Sequence, residues 1–303
     1  MKHSGYWHSE YRMEPALIGR IIVCVLALLF CTGAASDNGA IAAEPPALPF
    51  ASSVANGDTV YIARDYAFIG PDQIPAGWIS VKLMNQGEDL HQLQFIKLPD
   101  GKTAEDFAAA MTANHTRLPA GIERRGGPNS VIPGEQGMAT VHLDEGQYVV
   151  ICGIPDRRGV PHVALGMLKA LRVTPGLAKK SDPPHGDITI TEADFSFRLS
   201  APISAGRRTI RVVNTGSQAH EVVVVQLGPR ATVDAFLDAF QPGVATLPAG
   251  HPVGGMVGLE PGGEGFFTID FVRGQYGLIC FLPDLLQRAP HFTRGMLLDV
   301  TVE

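Results

Sequence analysis

Four residue types recur at matched positions along this 303-residue chain. His91, Cys152, His162 and Met167 form one set, and His220, Cys280, His291 and Met296 form the other. Four residues separate the second His from the Met in both sets, and the offset between sets is 129 residues at each His and Met and 128 at the Cys. Two imidazoles, a thiolate and a thioether suit both copper oxidation states, which makes them the donor set of a blue-copper electron-transfer site. Zinc also accepts Cys and His, but structural zinc sites rarely use Met. A lone His is usually structural or exposed, and a lone Met usually belongs to the core; repetition of all four positions is what points to metal. A disulfide between Cys152 and Cys280 is the competing reading. It needs Cα atoms within ~7 Å, which equivalent buried positions in separate repeats disfavour. His115, His142, His185 and His251 have no matching partners.

The duplication extends beyond the donors. Asn85 to His91 answers Asn214 to His220, Leu118-Pro119-Ala120-Gly121 answers Leu247-Pro248-Ala249-Gly250, and Gly146-Gln147-Tyr148 before Cys152 answers Gly274-Gln275-Tyr276 before Cys280. Pro161-His162 and Gly166-Met167 answer Pro290-His291 and Gly295-Met296. One-residue slips confined to loops are what a diverged tandem duplication leaves.

The elements that must position these donors read as short strands. Thr59 to Ala63, Trp78 to Met84 and Gln92 to Leu98 open the first repeat; Asp187 to Ile190, Thr209 to Val213 and Glu221 to Leu227 open the second. Short amphipathic helices are expected at 103–111 and 232–240, with Thr103 and Thr232 as caps. The last strands run from Gly137 to Cys152 and from Gly265 to Cys280, and closing strands follow at Lys169 to Thr174 and Leu297 to Val302. The expected fold is all-β: two tandem Greek-key β-sandwich domains, 56–175 and 186–303, each with a short helical insertion, joined by a linker at 176–185.

Composition narrows the classes further. A formal net charge of −6 gives no broad positive field, so nucleic acid is not an expected partner. Residues 1–35 read as a signal peptide: Arg12 and Arg20 precede an apolar run from Ile21 to Phe30, followed by small residues. That run is short for a membrane span of ~20 residues; a retained N-terminal anchor is the alternative. Residues 36–55, rich in Ala and Pro, form a linker. The expected location is the periplasm or outside the cell. No Gly-rich phosphate loop, nucleophile elbow or His-Glu-x-x-His is present. Asp156 and Asp284 read as turn-shaping residues that tune copper electrostatics, Arg157 and Arg158 as candidates for partner steering, and residues 122–125 as solvated surface.

With these motifs in view, the chain resembles the cupredoxin family over residues 56–174 and 186–303. The Asn…His element, the Gly-x-Tyr-x-x-x-Cys strand and the His-x-x-x-x-Met ending all match. The resemblance implies one type 1 copper in each domain, on His91, Cys152, His162 and Met167 and on His220, Cys280, His291 and Met296. The Cys-to-His loops hold nine and ten residues, similar to the type 1 loop of two-domain copper nitrite reductases rather than that of short-loop carriers. Those enzymes place a His beside the Cys to reach a catalytic copper, whereas Ile151 and Ile279 stand there in this chain, and no His-x-His pair occurs in the folded part.

The leading expectation is therefore an exported carrier of single electrons between redox protein partners. The exposed edge of His162 or His291 is the expected entry point. Asn85 and Asn214 are expected to brace the donor loops. A copper-binding or delivery protein, and an oligomeric oxidoreductase with a further metal site between subunits, are the alternatives.

Overall fold

The computed structural model describes residues 58–114, 117–176, 182–241, 244 and 246–303. The expected signal segment, the linker at 36–55 and residues 56–57 lie outside the described residues, as does part of the linker at 176–185. Among the described residues no helix is long and apolar enough to cross a membrane.

The first repeat forms β1 (Thr59–Arg64), β2 (Ala67–Ile69), β3 (Gln73–Pro75), β4 (Gly77–Asn85), β5 (Gln94–Lys97), helix α1 (Ala104–Ala113), β6 (Glu123–Arg124), β7 (Gln136–Leu143), β8 (Gly146–Ile151) and β9 (Leu168–Thr174). The second forms β10 (Ile188–Ala193), β11 (Ser196–Leu199), β12 (Gly206–Asn214), β13 (His220–Leu227), helix α2 (Val233–Asp238), β14 (Gly250–Leu259), β15 (Glu264–Phe271), β16 (Gly274–Ile279) and β17 (Leu297–Val302). The stretches before each Cys resolve into two strands each, β7 then β8 and β15 then β16, which cross from one layer to the other at Asp144-Glu145 and Val272-Arg273. Alternation explains the strands. In β4, Val81, Leu83 and Asn85 point inward between half-buried neighbours, as a half-buried strand of period two requires. Thr103 caps α1 in a reciprocal box with Asp106, and the Thr232 hydroxyl accepts the Ala235 N–H at the start of α2.

Each repeat is a two-layer β-sandwich. Strands β3-β9-β8-β5-β6 make one layer of the first repeat and β14-β13-β16-β17 one layer of the second. The remaining layers join edge to edge in one eight-stranded sheet, β11-β10-β12-β15-β7-β4-β1-β2. The junction is the antiparallel pairing of β7 with β15, with Ala139 opposite Phe267. A second seam runs beside it: Gly126 N–H donates to Gly258 O at 3.0 Å and Asn129 N–H to Gly255 O at 3.3 Å. The two residue pairs exchange when the repeats are superposed at an offset of 129 (Gly126 with Gly255, Asn129 with Gly258), although both donors belong to the first repeat, and the copies meet about a local two-fold axis. The largest buried cluster runs through both repeats and contains Cys152, Met167, Cys280 and Met296.

The seam alters one expectation. Residues 122–125 are not plain solvated surface, because Arg124 donates to Glu260 of the other repeat at 2.8 Å with both side chains partly buried. Beside the seam, Gly255 lets β14 close on β13 of its own repeat: its φ is +130° and a Cβ would stand 2.0 Å from Val222 O.

Candidate metal centres

In the first repeat, Asn85 ends β4 and ties the following loop together. Its side-chain N–H donates to Asp89 O and Val131 O, both at 2.8 Å, and its Oδ1 accepts Gly87 N–H at 2.9 Å. His91 is then held by a two-way backbone bridge with Val131, at 3.1 and 2.8 Å. Cys152 follows β8 at the edge of the sandwich. Its N–H donates to Met167 O at 3.3 Å, and its C=O accepts Val163 N–H at 2.9 Å. Between them a single 3-10 turn, His162–Leu165, ends at Gly166 with φ +105°, in the left-handed region that favours glycine. That turn returns the chain so that Met167 N–H reaches His162 O at 2.9 Å. The second repeat repeats this scaffold, with Asn214 bonding Gln218 O and Leu259 O, and with the turn His291–Arg294 capped by Gly295.

The outcome is convergence. One donor atom each from His91, Cys152 and His162, and from His220, Cys280 and His291, lies within 4.8 Å of the others in its set. Nδ1 of His91 and Nδ1 of His162 stand 3.2 Å apart, and Cys152 Sγ is 3.5 Å from His162 Nδ1. The second centre has 3.0 and 3.4 Å for the same contacts. All six residues are fully buried, as are Met167 and Met296. Cys152 and Cys280 are free thiols, so the disulfide reading falls. Among the described residues no further cluster of three or more such donors occurs. His142, His185 and His251 are exposed, and His115 lies outside the described residues.

Sequence reasoning missed the carboxylates behind these rings. Asp65 Oδ1 meets His91 Nε2 at 2.6 Å, and Asp194 Oδ1 meets His220 Nε2 at 2.9 Å. A carboxylate there fixes the proton on Nε2 and turns the Nδ1 lone pair inward. Asp65 and Asp194 sit at the same offset of 129, so the repeat alignment carried the signal. Burial works against the Asp194 carboxylate, but Ser217 and His220 hold it down to about 2.

The electrostatics show what such a centre lacks. Burial, then the charge of His91, takes the His162 imidazole down to about 4; burial and His220 do the same to His291. Burial pushes the Cys152 thiol up to about 12 and the Cys280 thiol well above its ordinary range. Inward lone pairs crowd a thiol that cannot ionise unaided. A cation among them supplies the missing positive charge, so the donor set fits a thiophilic metal ion.

The expected exposed histidine edge is absent. His162 and His291 are fully buried, and their Nε2 atoms make no hydrogen bond, although His162 Nε2 lies 4.0 Å from Asp89 Oδ2. Tyr66 lies over His162 with ring centroids 4.6 Å apart, its hydroxyl donating to Asp89 at 2.9 Å. Phe195 stands edge-on to His291 at 5.3 Å, with the Arg294 guanidinium 3.7 Å above its ring. The half-buried aromatics, rather than the imidazoles, therefore reach the surface. Asp156 and Asp284 do shape the loops as expected: Asp156 accepts the Arg158 and Val160 N–H groups, and Asp284 those of Leu286 and Gln287. Arg158 is taken up in the pair with Asp156. Ile151 and Ile279, beside the cysteines, pack into apolar clusters.

The repeats differ in one buried feature. Glu192, fully buried on β10, has no partner for either carboxylate oxygen, and neighbouring Glu221 is buried as well. Ala63 and Gln92 hold these places in the first repeat.

No family model matches the chain, and no curated protein matches it. Among solved structures it is similar to auracyanin A, a "blue" copper protein from Chloroflexus aurantiacus, at 20% identity over 39% of this chain and 100% of that one, with a TM-score of 0.27. It is also similar to a copper nitrite reductase from Nitrosomonas europaea, at 15% identity over 80% of this chain and 93% of that one, with a TM-score of 0.23. A copper-containing nitrite reductase from Thermus scotoductus is 14% identical over 80% of this chain and 61% of that one, with a TM-score of 0.23.

Proposed function

We propose that the chain is a cupredoxin-type electron carrier with a type 1 copper in each repeat, held by His91, Cys152, His162 and Met167 and by His220, Cys280, His291 and Met296. The observation that carries this reading is the duplicated convergence of two imidazole Nδ1 atoms and a thiol, all fully buried. Bound copper would supply a one-electron couple between Cu(I) and Cu(II). The protein does the rest. Asp65 and Asp194 orient the first imidazole, Asn85 and Asn214 lock its loop, and the glycine-capped turn fixes the second imidazole relative to the Met. A centre built on sheet hydrogen bonds moves little when its charge changes, which favours fast electron exchange. Tyr66 and Phe195 exclude water and offer the outer edge through which an electron enters.

Full burial of every donor supports retention of the metal over delivery, since an ion could leave only by opening the sandwich. The same reading takes 56–175 and 186–303 as the two domains, an exported location, and redox proteins as partners. The visible spectrum of the oxidised, copper-loaded protein tests it, together with a copper count. An intense thiolate-to-copper band with two coppers per chain is expected, falling to one copper in Cys152→Ser. A colourless protein, or one that keeps its band in the double variant Cys152→Ser/Cys280→Ser, overturns it.

A further inference from the structure

The two centres are joined by one continuous polar path. It begins at His91, whose N–H and C=O both bond Val131. Two residues before Val131 is Asn129, on the seam between the repeats and 1% exposed. Its side-chain N–H group faces Glu221 Oε2 at 3.3 Å, Val222 O at 3.4 Å and Met256 O at 3.3 Å, all in the other repeat. Its Oδ1 accepts the Ser130 hydroxyl at 3.0 Å. Glu221 continues the path in two directions. It follows His220 in the chain, and its Oε1 accepts Phe281 N–H at 3.2 Å, next to Cys280. Every residue named between the centres is buried except half-buried Phe281.

The crossing at Asn129 has no symmetric copy, although the fold repeats and Gln94 crosses the seam elsewhere by donating to Gly258 O at 3.0 Å. The local two-fold places Val257 or Gly258 where Asn129 stands, and Gln92 where Glu221 stands. Neither Val257 nor Gly258 has a side chain that could donate across the seam. A buried amide shared among three acceptors of the opposite repeat is costly to keep unless its bonds are made, and it stands two residues from Val131, the backbone partner of His91, while facing Glu221, the chain neighbour of His220. Electron tunnelling decays less steeply along covalent and hydrogen bonds than across van der Waals gaps.

We propose that Asn129-Ser130-Val131, with Glu221, wires the two centres into an internal relay, so that an electron received at one leaves from the other. This rests on the reading that both centres hold copper. The step transfers one electron: as one centre goes from Cu(I) to Cu(II), the other goes from Cu(II) to Cu(I), with no bond broken and no proton moved. A one-electron donor protein supplies the electron at one end and a one-electron acceptor removes it at the other. Asn129 is a positioning residue here and touches neither metal.

Pulse radiolysis of the full-length, doubly copper-loaded chain tests the relay. The centres are told apart by the spectra of Cys152→Ser and Cys280→Ser, and if these coincide, Met167→Gln moves the first centre away, because the axial donor tunes its potential. After a sub-stoichiometric pulse, absorbance should pass from one centre to the other in a first-order phase independent of protein concentration. Asn129→Leu, and the milder Asn129→Ser, should slow that phase at least several-fold. Copper count, both absorption bands and amide exchange at His91 and Val131 should stay as in the parent. Exchange that scales with protein concentration, that is missing, or that keeps its rate in both variants overturns the relay. Failure to load two thiolate-bound coppers overturns instead the reading on which it rests.

Discussion

Metal uptake at these centres should expel a fixed number of protons. At neutral pH the metal-free imidazoles are already neutral, because burial depresses His91 and His220 and takes His162 and His291 to about 4. The thiols are the reverse case, with Cys152 near 12 and Cys280 well above the ordinary range. A bound ion needs a thiolate and neutral imidazoles. Each centre must therefore lose one proton, from sulfur, and a fully loaded chain should release about two. Drawing a proton from a thiol of pKa about 12 at pH 7 costs roughly 7 kcal/mol, which the metal–sulfur bond has to exceed. Affinity should rise about tenfold per centre for each pH unit. Titration calorimetry with Zn(II), a redox-inert probe that accepts Cys and His, in buffers of different ionisation enthalpy, reads the proton count. It should stay near two per chain from pH 7 to pH 9, and Cys152→Ser should bring it near one. An ordinary thiol would be largely ionised at pH 9, and the release would fall below about half a proton per centre. That decline, or no release at pH 7, would refute the account of the buried thiols.

Three other outcomes follow from the geometry. Asp65→Ala and Asp194→Ala remove the groups that orient His91 and His220, and each should weaken metal binding at its own centre by about 10- to 100-fold in a competitive chelator titration. The metal-free protein should lose stability as pH falls from the ordinary imidazole range near 6.5 towards 4, because the unfolded chain takes up protons on His162 and His291 that the fold refuses; denaturant melts across that window should show a steady decline, and a flat profile would count against it. Gly255→Ala forces a Cβ to within 2.0 Å of Val222 O at a φ of +130° and should destabilise the chain by more than about 1 kcal/mol, measured by urea denaturation.

Local features were legible in the sequence, and features assembled across the seam were not. The His and Cys positions stand out because the duplication shows them twice, and the Asn85 and Asn214 braces and the Thr103 and Thr232 caps because each depends on a short spacing. Alternation marked the strands because one face of each is buried. Asp65 and Asp194 were equally readable by offset, but an Asp in a turn between two short strands carries no donor chemistry of its own to single it out. Tyr66 and Phe195 share the offset of 129 as well, but their roofing of His162 and His291 depends on where the β1–β2 and β10–β11 turns swing the two rings, which the offset alone does not give. Glu192 breaks the apolar rhythm set by Ile188 and Ile190, yet alternation places it inward all the same. The joining of β7 to β15 has no sequence signature, since edge strands of ordinary composition become partners only once both sandwiches exist.

That junction has a consequence for how the chain is built. A contact arranged about a two-fold axis is self-complementary: the surface one copy presents is the surface it receives. Ala139 lies opposite Phe267, its own counterpart at the offset of 128 that holds there. A single repeat would therefore carry, in its β7 edge and its 124–129 segment, the means to associate with an identical molecule. Left alone it would bare that edge as a template for any passing strand. Tandem duplication turns an encounter between two chains into one within a single chain, at an effective concentration independent of expression level. The protein is in this sense a dimer with its subunits spliced, in which each half could change sequence independently while remaining joined to the other.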